Sequence, residues 1–275
     1  MVYNYFSLSY SLICPSENKK MNNPTLDLIH NHVSVRHYKS DPLPPSIVET
    51  IIAAAQCAST SSNLQAYSIV AVVDPTKRIQ LSELCGNQAH IREAPVFLTW
   101  CADLARLERA CLLRGYTQVT DYTENFLIAA VDVSLAAQNA AMAAESLGLG
   151  ICYIGSIRNN PAQVIELLGL PRLTFPITGM TLGWPEKLPP IKPRLPLKSV
   201  LHWEKYDYSA EENGLHAYDA SMIETGIYQG RQVPVPGTPE KLEDYGWTEH
   251  SARRVSQAVR TELRLALEKQ GFILK

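Results

Sequence analysis

The apolar residues of this chain recur at helical spacing in several segments that short β-branched runs separate. After Pro44 and Pro45, apolar side chains stand at Ile47, Ile51 and Ala55. A four-residue spacing places such side chains on one face of a helix. Proline is well tolerated in the first helical turn, so the pattern predicts an amphipathic helix that begins at the proline pair.

The remaining elements follow from the same patterns and from the residues that end them. The segment 67–73 is rich in β-branched residues and short enough for a buried strand, which Asp74-Pro75 ends. Gly86 stops the helix that follows. These criteria predict a short helix capped by Thr25 and helices over 76–85, 122–147, 161–168, 217–228 and 248–269, with strands over 67–73, 96–101, 151–154 and 176–182 and a mobile loop over 229–246.

The longest predicted helix, 122–147, carries alanine on more than one face, for example at Ala136 and Ala140. Small side chains on several faces allow close packing against more than one neighbour, so we predict a central helix. Asp132 and Glu145 interrupt the apolar run, and we therefore expect no segment of the chain to span a bilayer.

The predicted strands do not alternate strictly with helices, which favours a mixed α+β layer structure over a doubly wound parallel sheet. Gly148-Leu149-Gly150 lacks the third glycine of a dinucleotide fingerprint and precedes a strand, where that motif follows one. Prolines are dense over 185–196 and prevent regular structure there. We expect this extended segment to wrap a neighbouring subunit.

Composition is that of an ordinary globular protein. Of the 275 residues 46% are hydrophobic and 19% are charged, and the formal net charge is −2. This length suits one large domain or two with a substantial core. Lysine and arginine are scattered among as many acids, so nothing indicates nucleic-acid binding. We therefore expect a small-molecule partner and neither a nucleic-acid nor a membrane partner.

Cysteine usage indicates neither a zinc site nor a redox dithiol, since no Cys-x-x-Cys occurs among Cys14, Cys57, Cys85, Cys101, Cys111 and Cys152. Apolar surroundings at Cys57 and Cys152 predict buried, reduced thiols and a cytoplasmic location. Residues 1–14 lack the basic segment and cleavage pattern of a signal peptide, and they belong to the first 24 residues that precede the predicted core. We expect residues 1–24 to form a disordered tail, or an extension upstream of a start at Met21.

Two separated basic segments carry the strongest chemical signal. They are His32-Val33-Ser34-Val35-Arg36 and Lys192-Pro193-Arg194. Arginine offers a planar fork of donors, lysine a compact charge and serine a hydroxyl, so the two segments together can hold the phosphate of a cofactor without a metal. Gly-x-Ser-x-Gly is absent, which argues against a hydrolase.

The order and spacing of further strings extend this signal over residues 26 to 206. In these strings the chain resembles the flavin-dependent nitroreductase family, specifically its oxygen-insensitive, NADPH-preferring group of nitroreductases and flavin reductases. The resemblance implies an FMN-binding core over 25–206 and a C-terminal helical arm with a mobile loop over 207–275. The strings are His32 to Tyr38, Leu64-Gln65, Gln88-Ala89-His90, Ala137 to Ala140, Ala143 to Gly150, Tyr153-Ile154-Gly155, Arg158-Asn159-Asn160, Leu182 to Pro185 and Lys192 to Pro196.

The resemblance implies a nitroreductase-like α+β fold with a mixed, mainly antiparallel sheet flanked by helices. It also implies an intertwined homodimer with FMN in each of two interface sites. His32, Ser34, Lys192 and Arg194 would hold the phosphate and ribityl end of FMN. Arg36 would face the phosphate or the N1/O2 edge of the ring, where a cation stabilises the reduced flavin.

Further roles come from the same resemblance. The backbone N–H of Gly155 would face flavin N5, and no side chain is assigned a catalytic role. Gln88 would contact the ribityl chain or the ring edge, and the segment around Ser61 would come from the partner subunit. The predicted cofactor-binding residues are His32, Val33, Ser34, Val35, Arg36, Thr60, Ser61, Ser62, Gln65, Gln88, Tyr153, Ile154, Gly155, Ser156, Lys192, Pro193 and Arg194.

The chain departs from the family pattern at Ser156, where relatives often have glycine, and at Asn63, where relatives tend to have an apolar residue. Both changes would alter the substrate pocket. Arg231, in a loop longer and richer in proline than is usual, would bind the 2′-phosphate of NADPH. We expect His37 and His90 to be structural or surface residues.

The implied activity is an FMN-dependent, two-electron, ping-pong transfer of hydride from NADPH to nitroaromatics, quinones or related acceptors. Two alternatives stay open: a dimeric FMN-binding protein for storage or delivery, and a flavin reductase whose acceptor is free flavin. A related flavoprotein chemistry such as dehalogenation or flavin fragmentation is a third.

Overall fold

The structure is a computed structural model that describes residues 23–235 and 237–275. The chain divides into two compact units, each with its own internal contacts. The core unit contains Thr25–Pro190 and Val259–Lys275, and the arm unit contains Ile191–Ala258. Residues 1–22 of the predicted tail, including Cys14, lie outside the described residues, whereas Pro24 already belongs to the first helix. The predicted domain limits at 24 and 206 stay predictions.

The described elements alternate irregularly between helix and strand. The helices are α1 (Pro24–His30), α2 (Pro45–Ala55), α3 (Pro75–Leu84), α4 (Ala89–Glu93), α5 (Ala105–Leu113), α6 (Thr123–Ser146), α7 (Pro161–Leu168), α8 (Glu211–Glu224), α9 (Trp247–Val255) and α10 (Leu263–Lys269). The strands are β1 (Tyr67–Val72), β2 (Val96–Asp103), β3 (Gly150–Ile154), β4 (Thr174–Gly183), β5 (Gln232–Val235) and β6 (Thr238–Asp244).

The core sheet has four antiparallel strands in the order β1-β2-β4-β3. Every residue of β2 is buried, because helices and loops cover both faces of this inner strand. The sequence of a strand buried on both faces is a continuous apolar run, not an alternation of apolar and polar residues. The α+β class and the antiparallel sheet predicted from the sequence are confirmed.

Helix α6 packs on this sheet through small residues. Ala136, Ala140 and Ala144 are fully buried in one cluster with Leu98 and Met180 of the sheet. Alanine side chains let a helix lie close to its neighbours, since interiors pack without gaps. The predicted central helix is confirmed.

The segment that follows α1 lies along the outer edge of β3. Ser34 forms a parallel bridge with Ile151, and the Val35 amide donates to the Ile151 carbonyl at 2.8 Å. Val35 is buried directly against Gly150, where an added Cβ would lie 2.5 Å from the Val35 Cγ2 atom. Only glycine fits here, and this close approach fixes the path of residues 32–38.

The arm unit joins α8 to α9 through one carboxylate. Asp219 of α8 accepts hydrogen bonds from the Thr248 amide at 3.1 Å and the Thr248 hydroxyl at 2.5 Å, and from the Trp247 amide. It thereby satisfies free amides in the first turn of α9. Strands β5 and β6 form a separate antiparallel hairpin.

Two predictions for the C-terminal region are wrong. The expected loop over 229–246 contains the β5–β6 hairpin, in which Pro234 lies beside a register irregularity, a place where a missing N–H is tolerated. The expected helix over 248–269 is broken into α9 and α10. Arg260 between them has a φ of 58°, which an α-helix does not accommodate.

Smaller corrections concern boundaries and burial. Thr25 lies inside α1 rather than capping it, and the patterns did not predict the short helices α4 and α5. Helix α8 spans Glu211–Glu224 rather than the predicted 217–228. Cys57 is exposed, because it follows the last turn of α2, whereas Cys152 is buried as expected. The other predicted helices and strands are confirmed to within two residues.

We predict that Gly150→Ala destabilises the protein by about 1–3 kcal/mol, because the new methyl group overpacks against Val35. Amide exchange at Val35 should accelerate as its bond to Ile151 lengthens. Gly148→Ala is the control: nothing lies within 4 Å of its added Cβ, although its φ is 78°, so Val35 should exchange at the normal rate. Normal Val35 exchange in Gly150→Ala would contradict the close approach.

Candidate functional site

A histidine and a glutamate form the first feature of the candidate site. His32 Nδ1 lies 2.6 Å from Glu145 Oε1, which belongs to the last turn of α6. A carboxylate in this position accepts a hydrogen bond from Nδ1–H and thereby fixes the orientation of the ring. Within the described residues the Nε2 atom of His32 has no hydrogen-bond partner, so it can form a hydrogen bond with a ligand.

Ser34 and Arg36 occupy alternate positions of the same edge segment. The alternating residues Val33 and Val35 pack against Tyr38 and Ala94. Arg36 is exposed. The Tyr38 hydroxyl donates to the Val35 carbonyl at 2.8 Å and so stiffens the segment. Two side chains of an extended segment that stand two positions apart share a face.

The end of β3 supplies the second feature. Gly155 begins a 3₁₀ turn immediately after Ile154. The Gln88 side-chain amide donates to the Ser156 hydroxyl at 2.5 Å and to the Cys85 carbonyl at 2.8 Å. The structure therefore brings together Gln88, Gly155 and Ser156, which the sequence analysis had placed in one site.

Two arginines flank Gly155. A Cβ added at Gly155 would lie 3.6 Å from Arg158 Nη2 and 4.0 Å from Arg260 Nη2. Arg158 donates to the Ile177 carbonyl, and Arg260 Nε donates to Asn159 Oδ1 at 3.0 Å. Burial, and next the charge of Arg260, lower the pKa of Arg158. Two guanidinium groups therefore lie close to the turn at Gly155.

The loop between α2 and β1 holds the next predicted residues. Ser61, Ser62 and Gln65 are exposed and Thr60 is half-buried. The hydroxyls of Thr60, Ser61 and Ser62 are available to a ligand on this surface, whereas the Ser61 amide already donates to Asp132 of α6. No hydrogen bond among the described residues joins this loop to His32.

Lys192, Pro193 and Arg194 belong to the arm unit. Arg194 Nη1 donates to the Lys192 carbonyl at 2.9 Å, and the Tyr218 hydroxyl donates to the Pro193 carbonyl at 3.2 Å. Arg231 lies 5.9 Å from the ring centre of Tyr245. Convergence of these cations with His32 and Ser34 stays a prediction.

Sequence reasoning gave no role to Glu145, Arg158, Asp132 or Arg260. Glu145 and Asp132 interrupt the alanine-rich part of helix α6, and an acid in such a run is a signal for a buried polar contact. Arg158 stood in a matching string. Nothing in the local sequence marks Arg260, because its approach to Gly155 depends on the break between α9 and α10.

Comparison with known proteins places these features in a family. Residues 29–184 match the model of the nitroreductase family, and residues 192–275 match the model of the nitroreductase family, C-terminal domain. A protein named CR(VI) reductase from Pseudomonas sp. (strain G-1) is 39% identical over 246 residues, which are 90% of this chain and 98% of the relative.

Two further proteins are similar over nearly their whole length. One named FMN reductase (NADPH), from Bacillus subtilis (strain 168), is 37% identical over 256 residues, 92% of this chain and 99% of the relative. The solved structure of NfrA2 from B. megaterium is 38% identical with a TM-score of 0.84, and the match covers 92% of this chain and 99% of that one.

The histidine next to this site gives a prediction for pH. His90 is buried, its Nε2 has no hydrogen-bond partner among the described residues, and its pKa is lowered to about 4 by burial and then by Arg36 and His37. The unfolded chain therefore binds more protons than the folded chain between pH 6.5 and 4, and stability should fall as the pH falls through this window.

We expect His90→Gln to lose less stability than the wild type on acidification from pH 6.5 to 4, with a difference above about 1 kcal/mol. Urea unfolding at several pH values measures it. His216→Gln, at an exposed position of α8, should keep the wild-type slope. A wild-type slope in His90→Gln would show that His90 titrates normally in the folded chain.

Proposed function

Because the chain belongs to the nitroreductase family, we propose that it is an FMN-dependent oxidoreductase that uses NADPH to reduce nitroaromatics, quinones or related small acceptors. The observation that carries this proposal is the alignment, along β3, of a cation and hydroxyl edge at His32 to Arg36 with the turn at Gly155. One end suits a phosphate and the other leaves room for a flat ring.

The residues present fit FMN. His32 is oriented by Glu145, and Ser34 and Arg36 stand on the same extended segment. These side chains can donate hydrogen bonds to a phosphate dianion without the help of a metal ion. Gly155 has no side chain, and a Cβ there would meet other atoms only at 3.6 Å or beyond. FMN, when bound, supplies the two-electron chemistry through its N5 atom.

In this proposal His32, Ser34, Lys192 and Arg194 hold the phosphate and ribityl end. Arg36 faces the phosphate or the N1/O2 edge of the ring. These groups position the cofactor, and their charge favours an anionic form of it.

At the other end, the Gly155 amide faces N5, and Gln88 and Ser156 lie beside the ring. The guanidinium groups of Arg158 and Arg260 attract anionic or oxygen-rich ligands to this turn. Donor and acceptor use the same pocket in alternation, which gives ping-pong kinetics. Arg231 in the arm unit is assigned to the 2′-phosphate of NADPH.

A homodimer completes the site in this proposal. Leu127, Val131 and Leu135 recur every four residues on α6 and are 54%, 47% and 44% exposed. An apolar stripe of this kind indicates a protein contact. The adjacent loop with Leu64 would then bring Thr60, Ser61, Ser62 and Gln65 to the FMN of the other subunit. The proposed location is the cytoplasm.

The direct test is spectroscopic. We expect the purified full-length protein to bind FMN, to lose its flavin absorbance anaerobically on mixing with NADPH, and to recover it on addition of a nitroaromatic or a quinone. A chain that binds FMN but is not bleached by NADPH would instead store or deliver flavin. A chain that never binds FMN would refute the proposal.

The FMN reductase named above gives one reason to test free flavin as an acceptor. Steady-state rates with free FMN and with a quinone, each at saturation, separate a flavin reductase from a quinone or nitroreductase. Analysis of the products also detects a different flavoprotein chemistry.

We predict that Glu145→Ala raises the dissociation constant for FMN about tenfold, or about 1.4 kcal/mol, because His32 loses the acceptor that orients it. Equilibrium titration of the flavin-free chain measures this change. Glu166→Ala removes an exposed carboxylate from α7 and should bind FMN normally. Equal affinity in both variants would show that the His32–Glu145 contact has no role in binding.

A further inference from the structure

The loop between α2 and β1 holds a backbone conformation that is unfavourable by itself. Ser62, Asn63 and Gln65 have φ angles of 48°, 56° and 51°. These values lie in the left-handed region, which asparagine tolerates but which serine and glutamine rarely adopt unless the surrounding structure fixes them. A turn hydrogen bond from the Leu64 amide to the Ser61 carbonyl, at 2.9 Å, is too local to do this alone.

A single carboxylate binds both ends of this loop. The Ser61 amide donates to Asp132 Oδ1 at 2.9 Å, and the Ala66 amide donates to Asp132 Oδ2 at 3.1 Å. Asp132 belongs to α6, so the clamp joins the loop to the central helix of the core unit. Because a carboxylate only accepts hydrogen bonds, it can satisfy both amides at once.

Asp132 has no other evident reason to be buried. Its side chain is completely inaccessible, and it forms no ion pair within residues 23–235 and 237–275. A buried carboxylate is costly unless hydrogen bonds compensate it. The two loop amides provide that compensation, so helix and loop stabilise each other.

The two ends of the loop are not equally anchored. The Ala66 carbonyl also accepts from the Asp103 amide at 2.9 Å, and Arg106 Nη1 donates to the Gln65 carbonyl at 3.2 Å. Among the described residues, Asp132 is the only hydrogen-bond acceptor of the Ser61 amide. Loss of the carboxylate should therefore release the Ser61 end more than the Ala66 end.

We infer that Asp132 is a positioning residue that holds residues 60–66 ready for FMN before the cofactor arrives. This inference rests on the proposed function, in which Thr60, Ser61 and Ser62 contact the FMN of the other subunit. A loop ordered in advance loses less conformational entropy on binding, and this gain appears as affinity. Asp132 acts through the loop and does not touch the cofactor.

Asp132→Asn tests the clamp at nearly constant volume. The amide group of asparagine replaces one carboxylate oxygen with a donor, so one of the two loop N–H groups loses its acceptor. Amide exchange in the flavin-free full-length chain should be at least about tenfold faster at Ser61 than in the wild type, a loss of about 1.4 kcal/mol of protection. Exchange should change less at Ala66 and not at all at Leu98 of β2.

The same variant should raise the dissociation constant for FMN about tenfold. In turnover, the change should fall on the apparent KM for FMN rather than on kcat, because the loop orders once FMN is bound. Asp219→Asn is the matched control, since Asp219 likewise accepts two backbone amides, from Trp247 and Thr248. It should alter neither Ser61 exchange nor FMN affinity.

Each outcome decides the inference. Wild-type exchange at Ser61 in Asp132→Asn overturns the clamp. Faster exchange at Ser61 with unchanged FMN affinity overturns the link between the Asp132 contacts and flavin binding. The flavin absorbance and its loss on mixing with NADPH test the proposed function separately. If the variant does not fold, exchange in the wild type decides: the Ser61 amide must exchange at least about tenfold more slowly than the Ser62 amide, and equal rates refute the inference.

Discussion

The packing of α6 on the central sheet is the constraint on which the candidate site depends. Its alanine face fixes the distance between helix and strands, and Asp132 and Glu145 of this helix are thereby held about 20 Å apart along its axis. Asp132 meets the loop before β1, and Glu145 meets His32 at the edge of β3. One rigid element thus positions two separate parts of the proposed cofactor site.

The same helix shows why composition alone misleads. By length and apolar composition α6 could cross a membrane, yet its buried face packs against the sheet and its buried Asp132 binds backbone amides. In a bilayer an isolated carboxylate would be expensive, whereas here the protein supplies its donors. The apolar residues that remain exposed form the stripe at Leu127, Val131 and Leu135, which suits a subunit contact better than solvent.

Local patterns predicted the elements whose causes are local. Helix α7 was predicted with its observed limits, because Pro161 can begin a helix and Gly169, with a φ of 62°, ends it. The break at Arg260 was missed, since a positive φ in arginine has no local signature. The contact between His32 and Glu145 joins residues 113 positions apart. The spacing of apolar residues along the sequence cannot predict such a long-range pair. The family resemblance supplied the candidate residues, but not what holds them.

The arginine pair beside Gly155 bears on the proposed alternation of donor and acceptor in one pocket. Burial and the charge of Arg260 both lower the pKa of Arg158, so the protein alone holds two cations together at a cost in free energy. Hydrogen bonds to the Ile177 carbonyl and Asn159 keep the two groups from separating. In the proposed function an anionic donor such as NADPH relieves this repulsion while it is bound. The pocket thus attracts the donor and the electron-rich oxygens of a nitro or quinone acceptor by the same charge, and neither ligand needs a separate site.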